Sequence, residues 1–220
     1  MNKYKAIIFC ICLVFMTLPG KSQKGQLFFL DNFSKDTIGK SPSHWESNVR
    51  GEIVTVKNEP GKWLKMHANG TYLPIINKLF PDQFTLEFDF IYQALGTDYN
   101  ITEITMFSDK PGDTYDVSFP GSAGIKIFLE NFIVSYACYS GQKIDDQLAQ
   151  EHRTNIIQTD KKVKVSIQVD KREVAVYIDG QKIMVAQRCP NTILPFNAMR
   201  FNLWGSQAEP LISNIRLTAP

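Results

Sequence analysis

An alternating stretch at residues 162–187 constrains the fold more than any other part of the sequence. Its apolar residues fall on every second position: Val163, Val165, Ile167 and Val169, then Val174, Val176 and Ile178, then Ile183 and Val185. This period is typical of a strand with one buried face and one solvated face. Asp179-Gly180 fits a two-residue type I′ turn, in which both central residues need positive φ. The stretch therefore predicts three antiparallel strands joined as a meander.

The remaining chain repeats this pattern in shorter pieces. Phe84, Leu86, Phe88 and Phe90 alternate with polar residues in the next strongest segment. Turn-forming residues at 58–61 separate two further strands, and one edge strand is predicted near 155–157. We expect about thirteen short strands and no helix, which favours two packed antiparallel sheets in an all-β domain. A closed barrel is the alternative.

The first 22 residues have the composition of a secretory signal peptide. Lys3 and Lys5 precede an apolar run at residues 6–18, and Pro19-Gly20 ends it. The run is shorter than the ~20 residues that a membrane span needs. We therefore expect residues 1–22 to be removed, which leaves residues 23–220 as a single domain without a membrane span. An uncleaved N-terminal anchor is the alternative.

Charge and cysteine content narrow the functional classes further. Residues 1–22 hold three of the 24 basic residues and none of the 22 acidic ones, so the rest of the chain has a formal charge of −1. A balanced charge gives no basic field that would favour nucleic acid or an anionic membrane. Cys138 and Cys189 are the two cysteines that remain. In an oxidising compartment they would form a disulfide, and a buried free pair is the alternative.

Three short motifs resemble a known superfamily. Residues 29–34 (FLDNFS), 176–181 (VYIDGQ) and 212–217 (ISNIRL) are similar to the opening strand, a hairpin and the closing strand of concanavalin A-like lectins and glucanases. The hairpin is closest to laminin-G-like members. Residues 61–64 and 84–92 also resemble a sandwich module of exported Gram-negative proteins, which in some cases precedes a peptidoglycan-binding OmpA-like domain. The resemblance implies a two-sheet antiparallel jelly-roll sandwich.

Glu87 and Asp89 are the candidate catalytic residues. They stand two positions apart on one strand face, roughly 7 Å apart by strand rise. A pair of carboxylates about 5–9 Å apart is what glycoside hydrolysis requires. The retaining glucanases of the superfamily carry a third carboxylate on the same strand, where this chain has Ile91 and Tyr92. The incomplete set favours a protein without catalytic activity.

Calcium is the metal that the resemblance suggests. The corresponding glucanases supply a carboxylate from the closing strand, where this chain has Ser213. Asp31 is then the remaining candidate ligand, although calcium takes six to eight oxygens. The three histidines, His44, His67 and His152, lie far apart and show no zinc-ligand spacing. We therefore expect no resident cofactor.

Aromatic and polar residues near strand ends are the candidate ligand-binding residues, because sugar rings stack on aromatic faces while amides and carboxylates bind hydroxyls. The set is Tyr92, Tyr99, Asn100, Glu103, Tyr136 and Trp204. Core packing is the alternative role for these aromatics.

Together these features predict an exported, non-catalytic β-sandwich that binds a glycan or a protein partner at the bacterial cell envelope, in the periplasm or at the surface. A glycoside hydrolase or lyase and a purely structural envelope module are the alternatives.

Overall fold

The computed structural model describes residues 25–93, 101–108, 115, 118–130, 132–192, 195–205 and 209–220. These residues contain sixteen strands and one 3₁₀ turn, Pro190–Thr192. In chain order the strands are β1 (Gln26–Asp31), β2 (Trp45–Ser47), β3 (Glu52–Val56), β4 (Glu59–Lys65), β5 (Thr71–Pro74), β6 (Phe84–Ile91), β7 (Ile101–Phe107), β8 (Ala123–Glu130), β9 (Ile133–Ser140), β10 (Lys143–Ile144), β11 (Gln150–Arg153), β12 (Lys162–Val169), β13 (Glu173–Ile178), β14 (Gln181–Gln187), β15 (Ala198–Trp204) and β16 (Leu211–Ala219). The described chain contains no helix with the length and hydropathy required to cross a lipid bilayer.

The strands form two eight-stranded sheets. Sheet A has the order β14-β13-β12-β6-β16-β4-β3, and β1 also pairs with β16. Sheet B has the order β10-β9-β8-β7-β15-β5-β2, and β11 also pairs with β9. The paired strands of both sheets run antiparallel. The prediction of an all-β fold with two antiparallel sheets is confirmed.

The hydrophobic core lies between the inner faces of the two sheets. In β6 the apolar residues alternate with half-exposed polar residues, as the period-two pattern requires. The rings of Phe88 in sheet A and Phe201 in sheet B meet edge to face, with centroids 5.4 Å apart. Such pairs contribute about 0.5–1.5 kcal/mol beyond the burial of their area.

The meander at residues 162–187 forms with β12, β13 and β14 in consecutive antiparallel pairing. The alternation expected in β14 is corrected, because the pairing with β13 shifts register and Val185 is exposed while Met184 and Ala186 are buried. Asp179 and Gly180 both have positive φ, 50° and 78°. The Asp179 carboxylate accepts a hydrogen bond of 2.7 Å from the backbone N–H of Lys164. The side chain therefore fixes the turn.

Three local expectations are corrected. The turn expected at residues 58–61 is tighter, because Asn58 takes the left-handed conformation and β4 begins at Glu59. Residues 155–157 form no strand, and the edge of sheet B is instead β11, whose four residues are all exposed and show no alternation. Sixteen strands replace the expected thirteen, since short strands such as β2 carry too little periodicity to be recognised.

Cys138 on β9 and Cys189 beside the 3₁₀ turn form a disulfide, with Cα atoms 6.2 Å apart. Both residues are buried. The bond connects two residues that are 51 positions apart in sequence. Of the two alternatives that the sequence left open, the structure shows the disulfide.

Candidate functional site

Polar side chains gather on the outer face of sheet B, the face directed away from sheet A. In β7 and β15 the inner positions are apolar apart from Thr102, whereas the outer positions include Glu103, Arg200 and Asn202. The register places Asn202 opposite both Glu103 of β7 and Thr71 of β5. Residues 99 and 131 positions apart in sequence thus become neighbours on one surface.

Glu103 is the centre of a buried ion network on this face. Its carboxylate is 3.2 Å from Lys126 Nζ and 3.2 Å from an Arg200 guanidinium nitrogen. The Thr105 hydroxyl also donates to it. The three charged residues are at most 4% exposed, and the Phe119 ring lies 5.2 Å from Lys126 Nζ and packs against Tyr139.

The ionisation of this network follows from its burial and its pairing. Burial alone would raise the pKa of Glu103, but Lys126, Arg200 and the hydrogen bonds from Thr105 and Trp204 together lower it. Burial lowers the pKa of Lys126, and the charge of Glu103 opposes that shift. At neutral pH Glu103 is therefore an ionised acceptor with its oxygens already occupied.

Trp204 ends β15 beside this network and is anchored to it. Its indole N–H donates a 2.9 Å hydrogen bond to Glu103. The ring is nevertheless 41% exposed, whereas the other two tryptophans, Trp45 and Trp63, are buried. The hydrogen bond holds an exposed aromatic ring in one orientation.

A pocket of about 260 Å³ opens next to Trp204. Its lining residues are Asn48, Asn69, Gly70, Thr71, Tyr115, Asn202, Leu203 and Trp204. Asn202 is 3% exposed, and its Oδ1 atom has no hydrogen-bond partner within the described residues. A buried acceptor without a donor at a pocket wall is a feature that calls for a ligand or a water molecule.

Two hydrogen bonds shape the opposite wall of this pocket. The Thr71 hydroxyl donates to the Tyr115 carbonyl at 3.0 Å, and the Tyr115 hydroxyl donates to Glu46 at 2.7 Å. Burial, the hydrogen bond to Glu46 and its negative charge raise the pKa of Tyr115 to about 12. The phenol thus remains a neutral donor over the physiological pH range.

The candidate ligand-binding residues divide into three groups. Glu103 and Trp204 come together at this site. Tyr99 and Asn100 lie outside the described residues. Tyr92 and Tyr136 are buried in the core between the sheets, and the Tyr136 hydroxyl donates to the Gln187 carbonyl at 3.2 Å. This burial corrects the expectation that the rings of Tyr92 and Tyr136 face a ligand.

The candidate catalytic residues Glu87 and Asp89 lie on the outer face of sheet A, away from the pocket. Glu87 forms a 2.8 Å ion pair with Lys164, and Asp89 accepts a 2.7 Å hydrogen bond from Asn214. Their cross-strand neighbours are cationic or neutral: Ser166 and Arg216 for Glu87, and Lys164 and Ser213 for Asp89. The structure provides this pair with charge partners.

The candidate calcium ligand Asp31 is occupied by protein donors. One oxygen accepts from the Trp45 indole and the other from the Phe33 backbone N–H, both at 2.8 Å. Within the described ranges no group of three or more His, Cys, Asp or Glu side chains is placed to hold a metal ion. Asp31 serves there as a support for the turn that follows β1.

Sequence reasoning missed Arg200, Asn202, Lys126 and Thr71. The signal for two of them was present, because Arg200 and Asn202 alternate with the apolar Met199, Phe201 and Leu203. Polar residues at outer positions of a central strand mark that outer surface. Which strand lies beside them cannot be obtained from a local pattern.

Comparisons with known proteins identify the architecture. No protein-family model matches the chain, and no curated protein matches it by sequence. Among solved structures, a GH16 protein of the Bacteroides ovatus mixed-linkage glucan PUL, in complex with product, matches with TM-score 0.61 and 12% identity, over 86% of this chain and 99% of that one. The chain has the concanavalin A-like lectin/glucanase fold.

Two further structures with this concanavalin A-like fold are similar. The potassium-bound carbohydrate recognition domain of Emp46p matches with TM-score 0.61 and 16% identity, over 87% of this chain and 96% of that one. The carbohydrate-binding module CBM66 from Bacillus subtilis matches with TM-score 0.51 and 16% identity, over 83% and 99%. At such identities the likeness establishes the fold, and function depends on the site itself.

Proposed function

We propose that the protein binds glycans in the pocket beside Trp204 on the outer face of sheet B. The observation that carries the proposal is the exposed Trp204 ring, held by Glu103 next to the buried acceptor of Asn202. A sugar ring offers an apolar C–H face and a rim of hydroxyls. An oriented aromatic ring with a neighbouring polar acceptor complements both features.

Three similar structures support this proposal by their described roles. They are a carbohydrate-binding module, a carbohydrate recognition domain and a glucan-locus protein with bound product. The concanavalin A-like sandwich therefore hosts carbohydrate recognition in proteins of differing function, and here it places an aromatic ring and polar groups on one sheet face.

Binding without turnover is the second part of the proposal. A glycosidase needs a carboxylic acid that donates a proton, together with a second carboxylate. Glu103 is ionised, buried and bonded to four partners. Glu87 and Asp89 lie on the other sheet. These placements favour recognition over hydrolysis.

We also propose that the protein is exported to the periplasm or the cell surface and acts at the envelope. The disulfide between Cys138 and Cys189 suits an oxidising compartment. The signal-peptide composition of residues 1–22 also indicates export. A glycan is then the partner that the pocket favours over an envelope protein. Fractionation of cells that express the full chain tests this, and retention in the cytoplasm would contradict it.

The function is tested by screening the purified protein on a glycan array and on a panel of cell-wall and dietary polysaccharides. We expect binding that Trp204→Ala abolishes and that Phe132→Ala leaves unchanged. Phe132 is the matched control, because its ring is 49% exposed at the β8–β9 hairpin and lies outside this pocket. Chelation with EDTA should have no effect on binding.

Three outcomes would contradict the proposal. The first is an absence of glycan binding, and the second is binding that survives Trp204→Ala. The third is release of reducing sugar from a bound polysaccharide, lost in Glu87→Gln, which would establish an enzyme.

A further inference from the structure

We propose that the pocket beside Trp204 selects an uncharged sugar residue, and that Asn202 Oδ1 accepts a hydrogen bond from one of its hydroxyls. This inference rests on the proposed glycan binding and adds the class of sugar and the residue that selects it. Two independent observations lead to it: the charge of the pocket wall and the unpaired acceptor.

The pocket wall contains no charged side chain among its described residues. Four other pockets of the described chain each include charged or titratable groups. Examples are Asp170 and Glu173 in one, Lys143 and Asp145 in another, and Arg153 in a third. A ligand carboxylate or sulfate would therefore find a cation at the pockets lined by Lys143 and by Arg153 but not at this one.

The charged side chains that contact the lining residues of the pocket do not favour an anion either. Glu103 does not line the pocket, and Lys126 and Arg200 engage its carboxylate. Glu46 holds the Tyr115 hydroxyl at the opposite wall and carries a negative charge there. A uronate or a sialic acid in the pocket would have this negative charge beyond Tyr115 and no cation in the lining, and nearby like charges disfavour binding.

Asn202 supplies the polar contact. Its side chain is buried on β15, and Oδ1 can only accept hydrogen bonds. A buried acceptor left unpaired is unfavourable, so a ligand that brings a hydroxyl donor relieves that cost when it binds. Trp204 stands two positions further along β15 on the same face, so one sugar ring can stack on the indole and reach Oδ1.

The size of the pocket agrees with a small ligand. Its volume of about 260 Å³ lies just below the range of pockets that enclose drug-sized molecules. One or two sugar rings are ligands of that size. The pocket is therefore suited to a short glycan segment.

The test compares neutral sugars with their matched uronic acids: glucose with glucuronic acid, galactose with galacturonic acid, and the corresponding oligosaccharides. Binding is measured by calorimetry and by the protection of Trp204 fluorescence against quenching by acrylamide. We expect the neutral member of each bound pair to bind at least about tenfold more tightly.

The role of Asn202 is tested with monodeoxy analogues of the best neutral ligand. One deoxy position should bind about tenfold more weakly to the wild-type protein, because its hydroxyl no longer reaches Oδ1. In Asn202→Leu that same deoxy position should cost nothing. Because the analogue series on the wild-type protein needs no variant, the proposal remains testable if Asn202→Leu does not fold.

The outcomes separate the inference from the proposed function. Equal or tighter binding of uronic acids, lost in Trp204→Ala, would overturn the selection of neutral sugars and leave glycan binding intact. A deoxy series in which no position weakens binding would overturn the role of Asn202. An absence of binding to every sugar would overturn both proposals.

Discussion

Replacing Glu103 by glutamine should destabilise the fold strongly. The substitution keeps the shape of the side chain but removes the negative charge that both Lys126 and Arg200 contact, each 3.2 Å away. Both cations are nearly inaccessible to solvent. Breaking a buried pair by removing one partner costs about 3–5 kcal/mol, because the remaining charge stays buried without compensation.

Glu87→Gln is the matched control for this prediction. Glu87 also pairs with a lysine, at 2.8 Å, but its side chain is 26% exposed and that of Lys164 is 55% exposed. Exposed ion pairs contribute about 0–1 kcal/mol. The same substitution at two glutamate–lysine pairs therefore separates the effect of burial from that of lost charge.

Urea unfolding followed by fluorescence measures the difference, with the disulfide kept intact. With a slope of about 2 kcal/mol per molar urea, Glu103→Gln should lower the midpoint by roughly 1.5–2.5 M, and Glu87→Gln by at most about 0.5 M. Equal shifts in the two variants would refute the reasoning. A variant with apolar residues at positions 103, 126 and 200 should recover most of the stability.

The pH dependence of stability provides a second measurement on the same pair of variants. The folded protein holds the pKa of Glu103 below its ordinary value of 4.5. The stability that this carboxylate contributes is thus complete above pH 4.5 and is lost as the pH falls through the lower, folded value. Wild-type protein should lose stability in that acidic range, and Glu103→Gln should lose less. Parallel curves would contradict the assignment.

Three further predictions concern other parts of the fold. Replacing Cys138 and Cys189 together by serine should lower the free energy of unfolding by about 4 kcal/mol, visible as a lower Tm; an unchanged Tm would show that the bond contributes nothing. Asn202→Leu should leave the free energy of unfolding unchanged or raise it by up to about 2 kcal/mol, because it removes the unpaired acceptor; a clear decrease in urea unfolding would contradict this. Burial raises the pKa of Tyr136 to about 12, so its phenol should titrate late in an ultraviolet titration and stability should fall above pH 10 as the unfolded chain ionises first; a late phase smaller by one phenol in Tyr136→Phe checks the assignment, and an unchanged late phase would contradict it.

The fold could be predicted from the sequence because its longest strands have clear periodicity. In β6 and β12 one face is buried and the other solvated, so alternation alone gives strand type and the orientation of each side chain. β11 could not be recognised in this way, since an exposed edge strand has no buried face to produce a pattern.

The site was only partly predictable, for a topological reason. Trp204 and Glu103 were both named, but their hydrogen bond depends on β15 lying beside β7, although the residues are 101 positions apart. The alternation along β9 could have excluded Tyr136 from the candidate ligand-binding residues, because Tyr136 shares the inner face of that strand with Val134 and Cys138. The alternation along the strand correctly placed Glu87 on an outer face, but it could not show which of the two sheets contains that strand.

The placement of the pocket on sheet B determines which side of the protein can be attached to a surface without covering the pocket. β1 and β16 lie together in sheet A, and the pocket opens on the outer face of sheet B, across the thickness of the sandwich. Lys162 and Lys164 also belong to sheet A, whereas Lys126 of sheet B is buried. A sensor surface coupled through the exposed Lys164 amine would therefore attach on the sheet A side and leave the Trp204 pocket open to solution.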